Sequence, residues 1–185
     1  MKLASSILII LILLLTTTGC SMKGHEFKPN FNSINDLKDN NLKAMSIQNG
    51  NIQNKKDETI GLRAVNMTSP YGGSFSRYLE KSLEEQLKQA SIYNKQSNIK
   101  ISAVLLKNDV SISSFSIGEA DLTANFIVMD KDRKIYEKEH TIHHEWESSF
   151  IGQIAIENAI ENYPIAMQKL IDSFLLDKDF IEAVK

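Results

Sequence analysis

The segment His140-Thr141-Ile142-His143-His144-Glu145-Trp146-Glu147 gathers three of the chain's 4 histidines beside two carboxylates. These are side chains that can hold a transition metal. On a helix, His140, His143 and His144 would share a face and offer a zinc-type ligand set. On a strand, His140 and His144 stand about 13 Å apart and cannot share one ion. There, His143 with Glu145, or His144 with a neighbour across a hairpin, still supplies two ligands. His143, His144 and Glu145 are therefore the metal candidates. The competing reading is a polar strand that ends in an aromatic.

Other patterns carry less. Asp130-x-Asp132 begins like a calcium loop, but Ile135 stands where that loop needs glycine and Thr141 where it needs its closing glutamate. Tyr71-Gly72-Gly73-Ser74, just before a helical pattern, could turn backbone N–H groups toward an anion. It lacks the lysine and spacing of a phosphate loop and reads equally as a plain turn. No serine sits in a G-x-S-x-G elbow. Neither an enzyme nor a bound cofactor is expected.

Cys20 is the only cysteine. Before it lie Lys2, an apolar run from Leu3 to Leu15, and Thr16-Thr17-Thr18-Gly19. The run is about thirteen residues, short of the roughly twenty that span a bilayer. Gly19-Cys20 behind such a run resembles a bacterial lipoprotein signal, although Thr17 stands where that pattern most often has leucine. The resemblance implies that residues 1–19 are removed and that Cys20 carries the lipid, palmitate-type acyl chains that fix the chain to a membrane facing the periplasm. Ser21 after the cysteine implies the outer membrane under the sorting rule of enteric bacteria. The alternative is an ordinary cleaved signal with an incidental cysteine.

Of 21 basic and 23 acidic residues, Lys2 leaves with the signal, so the remaining chain is net acidic. That argues against nucleic acid as a partner. No disulfide can form within the chain, so the fold must rest on its core.

Residues 21–40, SMKGHEFKPNFNSINDLKDN, read as a polar tether, so the lipidated tether is taken as 20–41 and one domain as 42–185. Leu42 to Gln48 is a short first strand. Thr59 to Met67 is read as one strand with Ile60, Leu62 and Ala64 on one face, and Ser69 to Gly73 as a turn. Ser74 to Ala90 is an amphipathic helix through Phe75, Leu79, Leu83 and Leu87. A strand from Ile99 to about Leu106 is followed by a serine-rich connection over 107–118. Ala120, Leu122, Ala124, Phe126 and Val128 mark the clearest strand, which turns at 130–134 into Ile135 to Trp146. Pro164 divides the C-terminal region into helices at 153–161 and 164–176.

This order gives an α+β two-layer sandwich: an antiparallel sheet of about four strands, mixed at its edge, with two main helices on one face. Together with the lipoprotein signal, it resembles in architecture the lipoprotein of the lipopolysaccharide translocon and the auxiliary lipoproteins of lipid-handling ABC transporters. The stretches 69–75 and 146–152 are similar to an uncharacterised lipoprotein group. The resemblance implies a non-enzymatic accessory or binding subunit of an envelope assembly, with an envelope protein as partner. The alternative is a periplasmic protein that binds a metal or small ligand through 140–147. Binding candidates are the open sheet face, with Arg63, Val65, Met67, Val104, Leu106, Ile127 and Met129, and the aromatic segment with Trp146 and Phe150. The tether or the 107–118 connection could instead cover that face.

Overall fold

The computed structural model describes residues 21–48 and 59–185. Cys20 and the signal lie outside the described residues. The main sheet is built on three long strands, β5 (Ile99–Ser111), β6 (Ile117–Asp130) and β7 (Arg133–Glu147), joined antiparallel. The short β2 (Ser46–Ile47) adds to β5 in parallel, giving the order β2-β5-β6-β7. The expected α+β architecture is present, with helices on one face of this sheet.

Residues 117–130 alternate almost without fault, and the even-numbered side chains from Gly118 to Val128 are buried. The helix α2 (Phe75–Gln89) and the long α3 (Gly152–Leu175) cover that side. Ser74 caps α2 by accepting a bond from the Arg77 N–H, which satisfies one of the amides left free at a helix start. At the centre of the core, Phe174 of α3 stacks on Phe126 with ring centroids 4.2 Å apart. Burying such a ring is worth about 1.5–3 kcal/mol. The last helix, α4 (Lys178–Val184), is capped by Asp177 and buries Phe180 and Val184.

Several expectations are corrected. Residues 21–40 are folded onto the domain: β1 (Ser21–Lys23) and the helix α1 (Phe31–Asp39) bracket a segment that buries Phe27, with Ile34 and Leu37 buried from α1. The apolar spacing Phe27, Ile34, Leu37 is sparse, yet each side chain seats in the core, and the Asn30 N–H donates to Gln168 of α3 at 3.2 Å. Thr59 to Met67 is a hairpin, β3 (Thr59–Leu62) and β4 (Val65–Thr68), with Arg63 in the left-handed region at φ 52° and Ala64 exposed in the turn. β1 joins β4 in parallel, forming a second, three-stranded sheet of order β1-β4-β3.

The connection expected over 107–118 is mostly strand. A bulge falls between Leu105 and Lys107, where Leu106 has no partner on β6. The extra residue shifts the alternation, so the inward positions pass from Ile101, Ala103 and Leu105 to Asn108 and Val110. Pro164 lies inside one continuous helix rather than between two. It removes the bond to the Ile160 carbonyl, while Ile160, Tyr163, Ala166 and Met167 around it are all buried. That burial holds the helix together across the proline.

Candidate functional site

The histidine segment forms the expected strand, and its alternation divides the histidines between two faces. His140 and His144 point inward and are buried, and His143 and Glu145 point out to solvent. His140 accepts or donates at Nε2 to the Tyr136 hydroxyl at 2.7 Å and packs edge-on against Phe126. His144 lies 2.8 Å from the Lys169 ammonium through Nδ1 and 3.1 Å from the side-chain carbonyl oxygen Oδ1 of Asn162 through Nε2. The ammonium can only donate and the carbonyl oxygen can only accept, so His144 is neutral with its proton on Nε2. Burial lowers the pKa of both histidines, and Lys169 lowers that of His144 further. His144 is thus a core residue, and the proposed trio of His143, His144 and Glu145 is not brought together.

On the open face the cross-strand register supplies a different third group. Glu119 of β6 lies opposite Glu145, and Asp121 opposite His143. His143 Nδ1 is 2.7 Å from Asp121 and Nε2 is 3.1 Å from Glu145. Glu145 first, then Asp121, holds the imidazole pKa above its usual value. Lys107 reaches Asp121 at 3.0 Å and completes a surface network. Glu119, His143 and Glu145 present ligand atoms within 4.8 Å of one another, all exposed. With Asp121 bracing Nδ1, Nε2 would be the metal-facing atom, the arrangement in which a carboxylate orients a ligating histidine. Glu119 was not singled out from the sequence; the signal that finds it is the hairpin register.

The open sheet face is narrower than expected. Val104 and Leu106 are 41% and 49% exposed, and Ile127 and Met129, half-buried, lie farther along β6 opposite Ser102 and Lys100. Val65 and Met67 do not join them, because they belong to the smaller sheet, and Met67 is fully buried. Among the described residues neither proposed cover lies over this face. Residues 25–30 cross the opposite layer, where the Tyr78 hydroxyl donates to the His25 carbonyl at 3.0 Å. There they border an open groove of about 520 Å³ with Glu161, Pro164 and Gln168 of α3. Of the former connection, residues 107–111 belong to β5 and 117–118 to β6, and 112–116 form the loop between them.

Arg63 is no part of that face. From its turn it reaches across two loops: Nε donates to the Ile112 carbonyl at 3.0 Å, Nη1 to Phe150 at 3.2 Å, and Nη2 to Ser114 and Ser149 at 3.4 and 3.1 Å. The loops so joined hold Phe115 and Phe150, 68% and 74% exposed, with ring centroids 5.3 Å apart. Ile117 and Ile151 are exposed beside them. Trp146, the other aromatic of the segment, is buried against the sheet and unavailable at the surface.

The sequence matches no family model and no curated protein. Solved structures that resemble the chain include the following three. One is a Xanthomonas campestris protein of the DUF330 family, at 13% identity and TM-score 0.53, with 84% of this chain and 95% of that one covered. The likeness is one of fold. A candidate lipoprotein of Caulobacter crescentus aligns at 10% identity and TM-score 0.46, over 82% of this chain and 93% of its own. A minor lipoprotein of Acinetobacter baumannii aligns at 15% identity and TM-score 0.45, over 75% and 91%.

Proposed function

We propose that the protein is an envelope lipoprotein anchored through Cys20 and serving as a non-enzymatic binding subunit of an envelope assembly or transport complex. The observation that carries the binding role is the uncovered sheet face, where Val104 and Leu106 stand in solvent and half-buried Ile127 and Met129 follow along the neighbouring strand. Apolar side chains on the far side of a sheet whose other side is already packed mark a surface made to be covered. The lipoprotein signal supports the anchor, and the periplasmic side of the outer membrane follows from Ser21 under the same reading. The architectural resemblance to auxiliary lipoproteins of lipid transport and of the lipopolysaccharide translocon supports the class of partner.

The test is in-cell crosslinking from a photoreactive residue at Leu106, with one at Lys131 as control. A stoichiometric membrane-protein adduct from position 106 alone is expected. Equal, weak adducts from both positions would remove the role.

A second reading rests on the convergence of Glu119, His143 and Glu145, which fits a divalent metal bound at the surface. Zinc titration of the purified protein tests it. Binding that disappears in His143→Ala and persists in His144→Gln supports this reading, and less than a tenth of an equivalent of zinc in the wild type removes it.

A further inference from the structure

We propose that the end of the domain bearing Phe115, Ile117, Phe150 and Ile151 rests on the lipid bilayer, with both phenyl rings seated among the headgroups beside the acylated terminus. The inference deepens the lipoprotein reading and depends on it.

The direction of β1 decides where the membrane must be. β1 runs parallel to β4 with Ser21 paired to Asn66, so the chain meets the domain at the end marked by the Arg63–Ala64 turn. Met22 lines a shared hollow with Arg63, Gly152 and Ile156, directly next to Phe150 and Ile151. Ser21 follows Cys20 in sequence, and from Ser21 onward the chain is fixed in the sheet. An extended residue spans about 3.3–3.6 Å, so acyl chains on Cys20 enter the bilayer within a few ångströms of this surface. A tether of twenty flexible residues would have left the domain free to turn; the observed one leaves no such slack.

The surface facing the anchor is the one that water disfavours. Phe115, Phe150 and Ile151 project from loops that Arg63 ties together, and Ile117 opens β6 beside them, so the group is presented as one tip. Four side chains are few against the roughly 20–30 residues that each partner contributes to a stable protein interface. They match the shallow apolar contact by which peripheral proteins add to a lipid anchor. Around the tip, the exposed Glu119, Glu147 and Glu157 stand against one exposed cation, Arg63, whose guanidinium is occupied by the loop carbonyls. This acidic excess favours zwitterionic over anionic headgroups.

The experiment uses full-length, acylated protein in phosphatidylcholine vesicles. Acylation consumes Cys20, so an introduced cysteine is the single reactive thiol. Phe150→Cys, Phe115→Cys and Lys131→Cys are each labelled with an environment-sensitive fluorophore; Lys131 sits in the turn at the opposite end of β6. Expected are blue-shifted emission and quenching by shallow spin-labelled lipid at positions 115 and 150, with neither at 131. Emission from 115 and 150 matching that of 131, in protein that floats with the vesicles, leaves the anchor intact and overturns the docking. Protein from a lipoprotein-processing cell whose mass shows no acyl chains on Cys20 overturns the anchor, and the docking with it.

Discussion

Gly118 lies directly beneath the indole of Trp146: a Cβ at residue 118 would stand 2.3 Å from the ring nitrogen. The two are paired across β6 and β7, and the same register sets Ala120 against His144 and Ala124 against His140. Small residues on one strand thus make room for large inward ones on the other. Gly118→Ala should push the indole off its seat and cost about 1–3 kcal/mol. A lowered thermal midpoint with a red-shifted Trp146 emission checks it; an unchanged spectrum would mean that the indole has room.

Arg63 donates to four carbonyls from two loops. A lysine has no fork with which to span them. Arg63→Lys should therefore lose most of the clamp, at about 0.5–1.5 kcal/mol, because water can reach most of the carbonyls left without a donor. Hydrogen exchange should rise at 112–116 and 148–151 and stay unchanged at the 130–133 turn.

Acid should destabilise the fold through the inward histidines. Burial lowers the folded-state pKa of His140 and His144, so the unfolded chain binds protons first as pH falls below about 6.5. Their contribution is present above that pH and is lost as pH falls through the folded values. His143 acts in the opposite sense, since its pKa is raised: its contribution is present below about 6.5 and is lost as pH rises through the folded value. Chemical denaturation between pH 7.5 and 5.5 should show a shallower loss of stability in His140→Phe and a steeper loss in His143→Asn.

Leu37 of α1 is fully buried. Leu37→Ala should cost about 2–5 kcal/mol if residues 31–39 belong to the core. An effect under about 0.5 kcal/mol, the size of an ordinary surface change, would return the segment to the status of a tether.

What the sequence disclosed follows from what each signal needs. The β6–β7 hairpin was legible because Ala120 through Val128 keep one alternation and a short polar turn follows. α2 was legible from Phe75, Leu79, Leu83 and Leu87. Three features resisted, for separate reasons. Phe27, Ile34 and Leu37 are too few among lysines and asparagines to show that they have a core to enter. Arg63 reads as one more strand residue until its left-handed backbone turns the chain. Pro164 reads as a boundary because a local rule cannot see the burial around it. At the candidate metal group, His143 and Glu145 were legible from their spacing on one strand. Glu119 was not, since its proximity depends on the register of a different strand.

Leu106 has one more consequence. Because it is the unpaired residue of β5, the strand is written in two phases, odd positions inward before it and even positions after. Deleting Leu106 would let the ladder close without interruption and leave every other residue on its present face: Leu105 inward, Lys107 outward, Asn108 inward. Asn108 would keep the Tyr163 hydroxyl that it now accepts at 2.8 Å. The leucine is thus a removable insertion, and the two halves of the strand already share one frame without it.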